Sequence, residues 1–301
     1  MRIGGIEAGG TKMVCAVATD DGTLLERVEI PTRTPADTVP EMLGFFKGKG
    51  IESLGIGCFG PVDLNPESET YGYITSTPKL AWADYNIVGA FQEALGVPVG
   101  FDTDVNGAIM GEAVWGAAKG CRNAIYITVG TGIGVGVCIN GEPLHGLVHP
   151  EGGHILMARQ ESDSFEGCCP YHGCCLEGMA SGPAIEKRWG KPGRLLQDKK
   201  EVWELEAFYL AQAVANYIML YSPEKVILGG GVMHQEGLLE QVQKKVVDML
   251  AGYVHHPMIE KHIESYIVHP ALKDNPGILG AVYLGMRAYQ NVQLETNEVS
   301  E

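Results

Sequence analysis

Ile3-Gly4-Gly5-Ile6-Glu7-Ala8-Gly9-Gly10-Thr11-Lys12-Met13-Val14-Cys15-Ala16-Val17-Ala18 is the stretch that decides the fold. Two short apolar runs, Ile3 to Ile6 and Met13 to Ala18, flank Glu7-Ala8-Gly9-Gly10-Thr11-Lys12, and this pattern predicts two strands around a glycine turn. After the Asp20-Asp21-Gly22 turn come a strand from Leu24 to Ile30, a helix from Asp37 to Phe46, and a buried strand from Leu54 to Cys58 that ends in Gly60-Pro61. Strands followed by a helix and a further strand make an α/β lobe.

The pattern recurs. Ala124 to Val129 reads as a strand, Gly130-Thr131-Gly132-Ile133-Gly134 as a turn, and Val135 to Ile139 as a second strand ending at Asn140-Gly141. A degenerate internal duplication follows, with one glycine turn per lobe offering backbone N–H groups to phosphate. On spacing alone, two ordinary hairpins explain the pattern equally well. Val105 to Lys119, apolar at Val105, Ile109, Ala113, Val114 and Ala117, is near helical spacing and carries the chain from one lobe to the other. Helical patterns at Val202 to Tyr221 and Leu238 to Ala251 are separated by a strand, Lys225 to Leu228, and its Gly229-Gly230-Gly231 turn; Gly277 to Tyr289 is the last expected helix. The expected division is an N-terminal α/β lobe over 1–115, a C-terminal α/β lobe over 116–289, and a polar, poorly ordered tail over 290–301.

A chain of 301 residues is long enough for two such lobes, and 45% hydrophobic with 20% charged residues is an ordinary globular composition. Lys and Arg number 22 against 37 Asp and Glu, a net charge of -15, which repels nucleic acid and anionic lipid alike. The first residues lead directly into a strand pattern, and no later apolar run approaches the ~18 residues of a membrane span, so a cytoplasmic protein is expected. Of 8 cysteines, Cys168, Cys169, Cys174 and Cys175 crowd one short stretch, which points to metal chemistry more than to disulfides.

No Gly-x-x-x-x-Gly-Lys-Ser/Thr loop is present, and Gly130-x-Gly132-x-Gly134 does not fit the dinucleotide pattern. What stands instead is Glu7-Ala8-Gly9-Gly10-Thr11-Lys12, Phe101-Asp102-Thr103-Asp104-Val105-Asn106-Gly107, Val129-Gly130-Thr131-Gly132-Ile133-Gly134 and Pro150-Glu151-Gly152-Gly153-His154. Together with Cys169-Pro170-Tyr171-His172-Gly173-Cys174-Cys175-Leu176-Glu177 these motifs resemble the ROK family of bacterial sugar kinases and sugar-responsive repressors over nearly the whole chain. Its fructokinase branch matches best, through Glu7 in the opening motif and the Cys-Pro-Tyr-His-Gly-x-Cys run.

The resemblance implies an actin/hexokinase-like (ribonuclease H-like) two-domain fold with an interdomain cleft. It also implies an ATP-dependent hexose kinase, best matched by a fructokinase that makes fructose 6-phosphate from fructose and MgATP. Mannose, glucose and N-acetylmannosamine remain open as substrates. The matching positions make Asp104 the general base that accepts the proton of the attacking hydroxyl. An aspartate there also suits a helix N-cap, a role that Asp102 can fill. Gly9, Gly10 and Thr11, with Lys12 as charge, and Gly130, Thr131 and Gly132 would meet the ATP phosphates, where a Cβ would block close approach. Glu7 would lie near Mg²⁺ through water, and Gly229 and Gly230 beside the adenosine, although a tight turn explains those two glycines almost as well.

Glu151, His154 and Glu177 match the family's sugar contacts, with Gly60, Thr103 and Asn106 as further candidates. Thr103 stands where the family commonly has Asn, and loss of that amide favours a ketose. His154, Cys169, His172 and Cys175 form the expected structural Zn²⁺ set, two imidazoles and two thiolates, with Cys168 and Cys174 as rival thiols. Zinc on one nitrogen of His154 would leave the other for the sugar. His255, His256, His262 and His269, scattered through the last third, lack ligand spacing, and Cys15, Cys58, Cys121 and Cys138 read as small buried hydrophobes.

The resemblance and the zinc loop point to a homodimer. A repressor of the same family is set aside by the acidic balance and by the lack of a DNA-binding segment before the first strand. A non-catalytic sugar-binding protein would need a defective phosphate site, and the motifs are in place.

Overall fold

The apolar runs build two α/β units. The computed structural model describes residues 1–77 and 79–298. Its elements begin with β1 (Arg2–Ala8), β2 (Lys12–Thr19), β3 (Leu24–Pro31), α1 (Pro35–Phe46), β4 (Ser53–Cys58), β5 (Tyr73–Ile74), β6 (Tyr85–Asn86), α2 (Ile87–Leu95), β7 (Val99–Thr103) and α3 (Asp104–Trp115). Next come β8 (Ala124–Val129), β9 (Ile133–Ile139), β10 (Glu142–Pro143), α4 (Leu176–Ala180), α5 (Gly182–Trp189) and α6 (Lys200–Tyr221). The chain closes with β11 (Lys225–Gly229), α7 (Leu238–Leu250), α8 (Pro257–Glu260), α9 (Ile263–Tyr266), β12 (Ile267–Val268) and α10 (Pro276–Glu298).

Unit 1 is Met1–Lys119, Glu142–His149 and the chain from Leu272 onward; unit 2 is Gly120–Gly141 and Pro150–Ala271. In unit 1 the sheet order is β3-β2-β1-β4-β7, with β1, β2 and β3 antiparallel and β4 and β7 parallel to β1. Alternation along β2 sends Met13, Cys15 and Val17 to one face, where they pack with Val39, Met42 and Phe46 of α1 and Phe91 of α2. Val14 and Ala16 go to the other face and meet Ile278 of α10.

That second face is paved with glycine. A Cβ at Gly55 would lie 1.8 Å from Ala281 O, and one at Gly100 would lie 2.2 Å from Leu284 O, so α10 rests directly on the strand backbones. Gly280 meets α3 in the same way, its added Cβ falling 1.8 Å from Gly107 O. This packing corrects two expectations. The last helix belongs to unit 1 rather than to a C-terminal lobe. It also continues beyond Tyr289 as far as Glu298, so the part of the expected tail up to there is helical, while 299–301 lie outside the described residues.

Helix α3 stops at Trp115, short of the Lys119 expected. Fully buried Glu112 accepts from Ala117 N–H at 2.6 Å and from Leu272 N–H at 3.0 Å, and a Cβ at the capping Gly116 would sit 2.0 Å from its carboxylate. One carboxylate oxygen therefore closes the turn that ends the helix, and the other ties it to Leu272, far along the chain.

Unit 2 repeats the plan. Its strands run β9-β8-β11-β12, an antiparallel hairpin followed by two parallel strands. The duplication expected from the glycine turns is thus present in the topology. Helix α6, with Tyr209, Leu210, Val214 and Tyr217 buried, supplies much of the core, and Tyr217 donates to Gly152 O at 2.6 Å. Among the described residues no helix is long and apolar enough to cross a membrane.

Candidate active site

In unit 1, β1, β4 and β7 end together, with Ala8 beside Cys58 and Cys58 beside Thr103. Gly9-Gly10-Thr11, Gly60 and Asp104 consequently share the carboxyl edge of one sheet, the edge where open α/β sheets bind ligands. Gly9 is required in the turn: its N–H donates to Lys12 O at 3.0 Å, and a Cβ would meet that oxygen at 2.6 Å. Thr32 braces the loop from the side, donating its N–H to Thr11 O at 3.0 Å and its hydroxyl to Gly9 O at 2.8 Å.

The cations differ from expectation. Lys12 pairs with Glu29 at 2.6 Å, its side chain 52% exposed, because the two are diagonal neighbours on adjacent strands, Lys12 opposite Pro31 and Glu29 opposite Val14. Lys79 instead approaches the turn, its Cε 3.0 Å from where a Gly10 Cβ would be. It stands in a loop far along the chain, and nothing local in the sequence singles it out. Glu7 lies behind the turn against the start of α10, where a Cβ at Gly277 would touch its carboxyl at 2.5 Å. Burial raises its pKa, while Lys12, Arg27 and the Ile278 N–H pull it down.

Asp104 is the first residue of α3, and Thr103 caps the helix by accepting Asn106 N–H at 3.2 Å. Neither aspartate takes the capping role that the sequence left open to them. Asp104 Oδ1 accepts Val105 N–H at 2.9 Å, and its charge adds to burial in raising the pKa of the Cys58 thiol at the end of β4. Thr103 and Asn106, expected among the sugar contacts, are 2% and 1% exposed and turn their polar groups inward. Gly60 and Asp104 are partly exposed.

In unit 2, β8 and β11 are parallel and end at Gly130-Thr131-Gly132 and Gly229-Gly230-Gly231. Gly130 O accepts Gly182 N–H at 2.8 Å, and no atom lies within 4 Å of a Cβ added at Gly130. Gly229 and Gly230 serve packing: added Cβ atoms would lie 2.5 Å from the Tyr126 hydroxyl and 2.4 Å from Val129 O, and Gly230 has φ +91°. Gly231, outside the expected pair, has the open space. The three glycines look alike in sequence; only the neighbouring strand separates their duties.

Glu177 on α4 braces the first of these turns, accepting Ile133 N–H at 3.0 Å with its Oε2 2.7 Å from a Cβ added at Gly132. Glu151 precedes and His154 ends a single 3-10 turn, in which His154 N–H donates to Glu151 O at 3.0 Å. The Glu151 pKa is raised by the protein around it, with His154 opposing and Glu177 adding, so the three side chains feel one another.

His154 also belongs to a four-residue cluster with Cys169, His172 and Cys175, whose ligand atoms all lie within 4.8 Å of one another. Cys169 Sγ is 3.7 Å from Nδ1 of both His154 and His172, and Cys175 Sγ is 3.5 Å from His154 Nδ1. Zinc bond lengths and a tetrahedral angle require a sulfur–nitrogen separation of about 3.6 Å, so the donor set fits Zn²⁺ in number, type and spacing. A tight turn presents it: Gly173 N–H donates to Cys169 O at 3.0 Å, and Gly173 has φ +61°. Cys168 and Cys174 are partly exposed and stand outside the cluster.

A family model described as "ROK family" matches residues 3–288. A Bacillus subtilis protein is 48% identical over 288 residues, covering 96% of each chain. A fructokinase of Zymomonas mobilis is 44% identical over 294 residues, covering 95% of this chain and 96% of its own. Among solved structures, a ROK hexokinase from Thermus thermophilus superposes with a TM-score of 0.76 at 27% identity, covering 97% of this chain and 100% of that one. The two units with their repeated hairpin-and-crossover sheets accordingly have the two-domain actin/hexokinase-like fold. Since the family model and relatives of this identity extend over nearly all of the chain, the protein belongs to the ROK family.

Proposed function

We infer that the protein is an ATP-dependent hexose kinase whose substrate is fructose, phosphorylated at the 6-hydroxyl. The observation that carries this reading is the place of Asp104 at the N-terminus of α3, on the same carboxyl edge as the Gly9-Gly10-Thr11 turn. Fructose, ahead of mannose, glucose or N-acetylmannosamine, is supported by the activity named for the Zymomonas relative.

In this mechanism the fructose 6-oxygen forms a bond to the γ-phosphorus as the bond from that phosphorus to the bridging oxygen of ADP breaks. Asp104 accepts the hydroxyl proton and orients the oxygen in line. Gly10 and Thr11 in unit 1 and Thr131 and Gly132 in unit 2 offer amides to phosphate oxygens, Gly9 and Gly130 shape the two turns through their own N–H bonds to Lys12 O and Gly132 O, and Lys79 adds a charge that Lys12, held by Glu29, gives less freely. The open space at Gly231 suits the adenosine better than Gly229 or Gly230. Mg²⁺ carried with ATP neutralises the phosphates, and the raised pKa of Glu7 fits a carboxylate that gains from a cation nearby.

Glu151, His154 and Gly60 hold sugar hydroxyls, His154 through Nε2, since its Nδ1 faces two thiols. His154, Cys169, His172 and Cys175 would hold a structural Zn²⁺, which would fix that ring. The exposed Leu156 and Tyr171 beside the zinc loop, 72% and 78% exposed, support self-association as a homodimer. None of the eight cysteines is in a disulfide, which fits the reducing cytoplasm.

The test is a coupled ADP-release assay with MgATP and a panel of hexoses. Fructose should turn over fastest. No ADP from folded, metal-loaded protein with any hexose would overturn the kinase reading, and faster turnover of another hexose would overturn the choice of fructose.

A further inference from the structure

Asp102, the residue that pairs with Gly57 near the end of β7, is 2% exposed. A carboxylate so deeply buried is tolerated when donors satisfy it. Three donors converge here. Thr103 N–H at 2.7 Å and Asn106 Nδ2 at 2.8 Å reach Oδ1, and His145 Nε2 lies 2.8 Å from Oδ2.

The first two donors belong to the opening turn of α3 and bracket Asp104 on either side. The third comes from the segment Glu142–His149, which belongs to unit 1 although the chain before and after it belongs to unit 2. The His145 side chain is 45% exposed, so an accessible ring reaches inward to a buried acid. Asn106 depends on this arrangement as well. Its Oδ1 is buried with no hydrogen-bond partner, so Nδ2 carries its polar anchoring, to Asp102 and, at 3.5 Å, to His145 itself.

We propose that His145 is a positioning residue for the reacting edge: by gripping Asp102 it fixes the carboxylate that holds Thr103 and Asn106, and through them the direction of Asp104. The proposal rests on the reading of Asp104 as the proton acceptor. His145 itself touches neither sugar nor phosphate in this account. Without its grip, Oδ2 of Asp102 loses a partner inside the protein, the carboxylate turns to find another, and the first turn of α3 moves with it. A displacement of this kind near a reacting group costs rate far more than binding.

The experiment compares kcat and KM, for fructose and for MgATP separately, in His145→Ala, His145→Gln and the parent enzyme. His145→Ala should lower kcat by roughly ten- to a hundredfold while both KM values stay within about threefold. Gln places an amide N–H at nearly the reach of His Nε2, and His145→Gln should restore most of kcat. Unchanged kcat in His145→Ala overturns the proposal. So does a raised fructose KM at unchanged kcat, which makes His145 a substrate contact, and so does an equal loss in His145→Gln.

Should His145→Ala fail to fold, His145→Asn takes its place, because that amide is too short to reach Asp102; equal kcat in the Asn and Gln variants then refutes the positioning role. A parent enzyme without turnover on any hexose refutes the kinase reading and this proposal together. A parent that turns over beside unaltered variants refutes this proposal alone.

Discussion

Substituting Gly280 by alanine tests whether the helix that completes unit 1 is seated as closely as the distances say. An added Cβ falls 1.8 Å from Gly107 O and 2.0 Å from Gly107 C, both backbone atoms that no rotamer change can move, whereas ordinary contact begins at 3.4 Å. Helix α10 must therefore rise from α3 by about 1.6 Å or the strand contacts behind it must shift, and close-packed interiors resist either. Overpacking of this kind costs about 3 kcal/mol at the upper end of its usual range, and alanine returns about 1 kcal/mol through helix propensity, leaving a net loss of about 2 kcal/mol.

For a unit of this size that loss lowers the melting temperature by roughly 4–8 °C, measured by thermal melts followed by circular dichroism. Because α3 carries Asp104, kcat should fall as well. Gly44→Ala is the matched control: it lies within α1 with no atom within 4 Å of the new Cβ, so the same substitution should be neutral or stabilise by up to about 1 kcal/mol. A Gly280→Ala protein that melts with the parent, or a Gly44→Ala protein that melts as early as Gly280→Ala, would refute the reasoning.

Asp104→Asn should reduce turnover by about 10²- to 10⁴-fold with the melting temperature nearly unchanged, and retained activity removes Asp104 from the base role. His172 is exposed, so His172→Ala loses little packing; elemental analysis should find the zinc gone and the melting temperature lowered to that of chelated parent, while a variant that keeps stoichiometric zinc shows His172 is no ligand. Glu206 is 1% exposed with neither oxygen paired, and burial raises its pKa well above the usual carboxylate range. The unfolded chain ionises it near about pH 4.3, so stability falls as pH rises from there toward the folded value. The advantage of Glu206→Gln over the parent should widen between about pH 5 and about pH 8; equal differences in melting temperature at both would exclude the buried acid as the cause.

Local chemistry was readable in advance. The hairpin around Gly9 follows from two short apolar runs and a turn that needs glycine, and the Cys169-x-x-His172-x-x-Cys175 spacing presents three donors from one loop, so a sequence pattern and a geometry are nearly the same fact. What escaped was decided at a distance. Lys12 has the look of a phosphate ligand until Glu29 is placed on the neighbouring strand. Glu177 reads as a sugar contact until the Ile133 N–H is seen pointing at it. Either aspartate in Asp102-Thr103-Asp104 suits a helix cap by residue type, and Thr103 takes the position because Asp102 is already committed to Asn106 and His145. The assignment of α10 was out of reach for a similar reason: its seat shows only when Gly55, Gly100 and Gly107 are set opposite Ala281, Leu284 and Gly280.

The glycine-seated α10 also sets an order of events on the ribosome. Strands β1, β4 and β7 are synthesised early, yet the helix that covers their second face comes from the last part of the chain. Unit 2 lies wholly between, within 120–271, and all of its strands have emerged before α10 leaves the exit tunnel. Unit 1 is therefore the first begun and the last finished, and throughout elongation its nascent sheet presents Val14, Ala16 and the bare glycine backbones to whatever chaperone attends the chain.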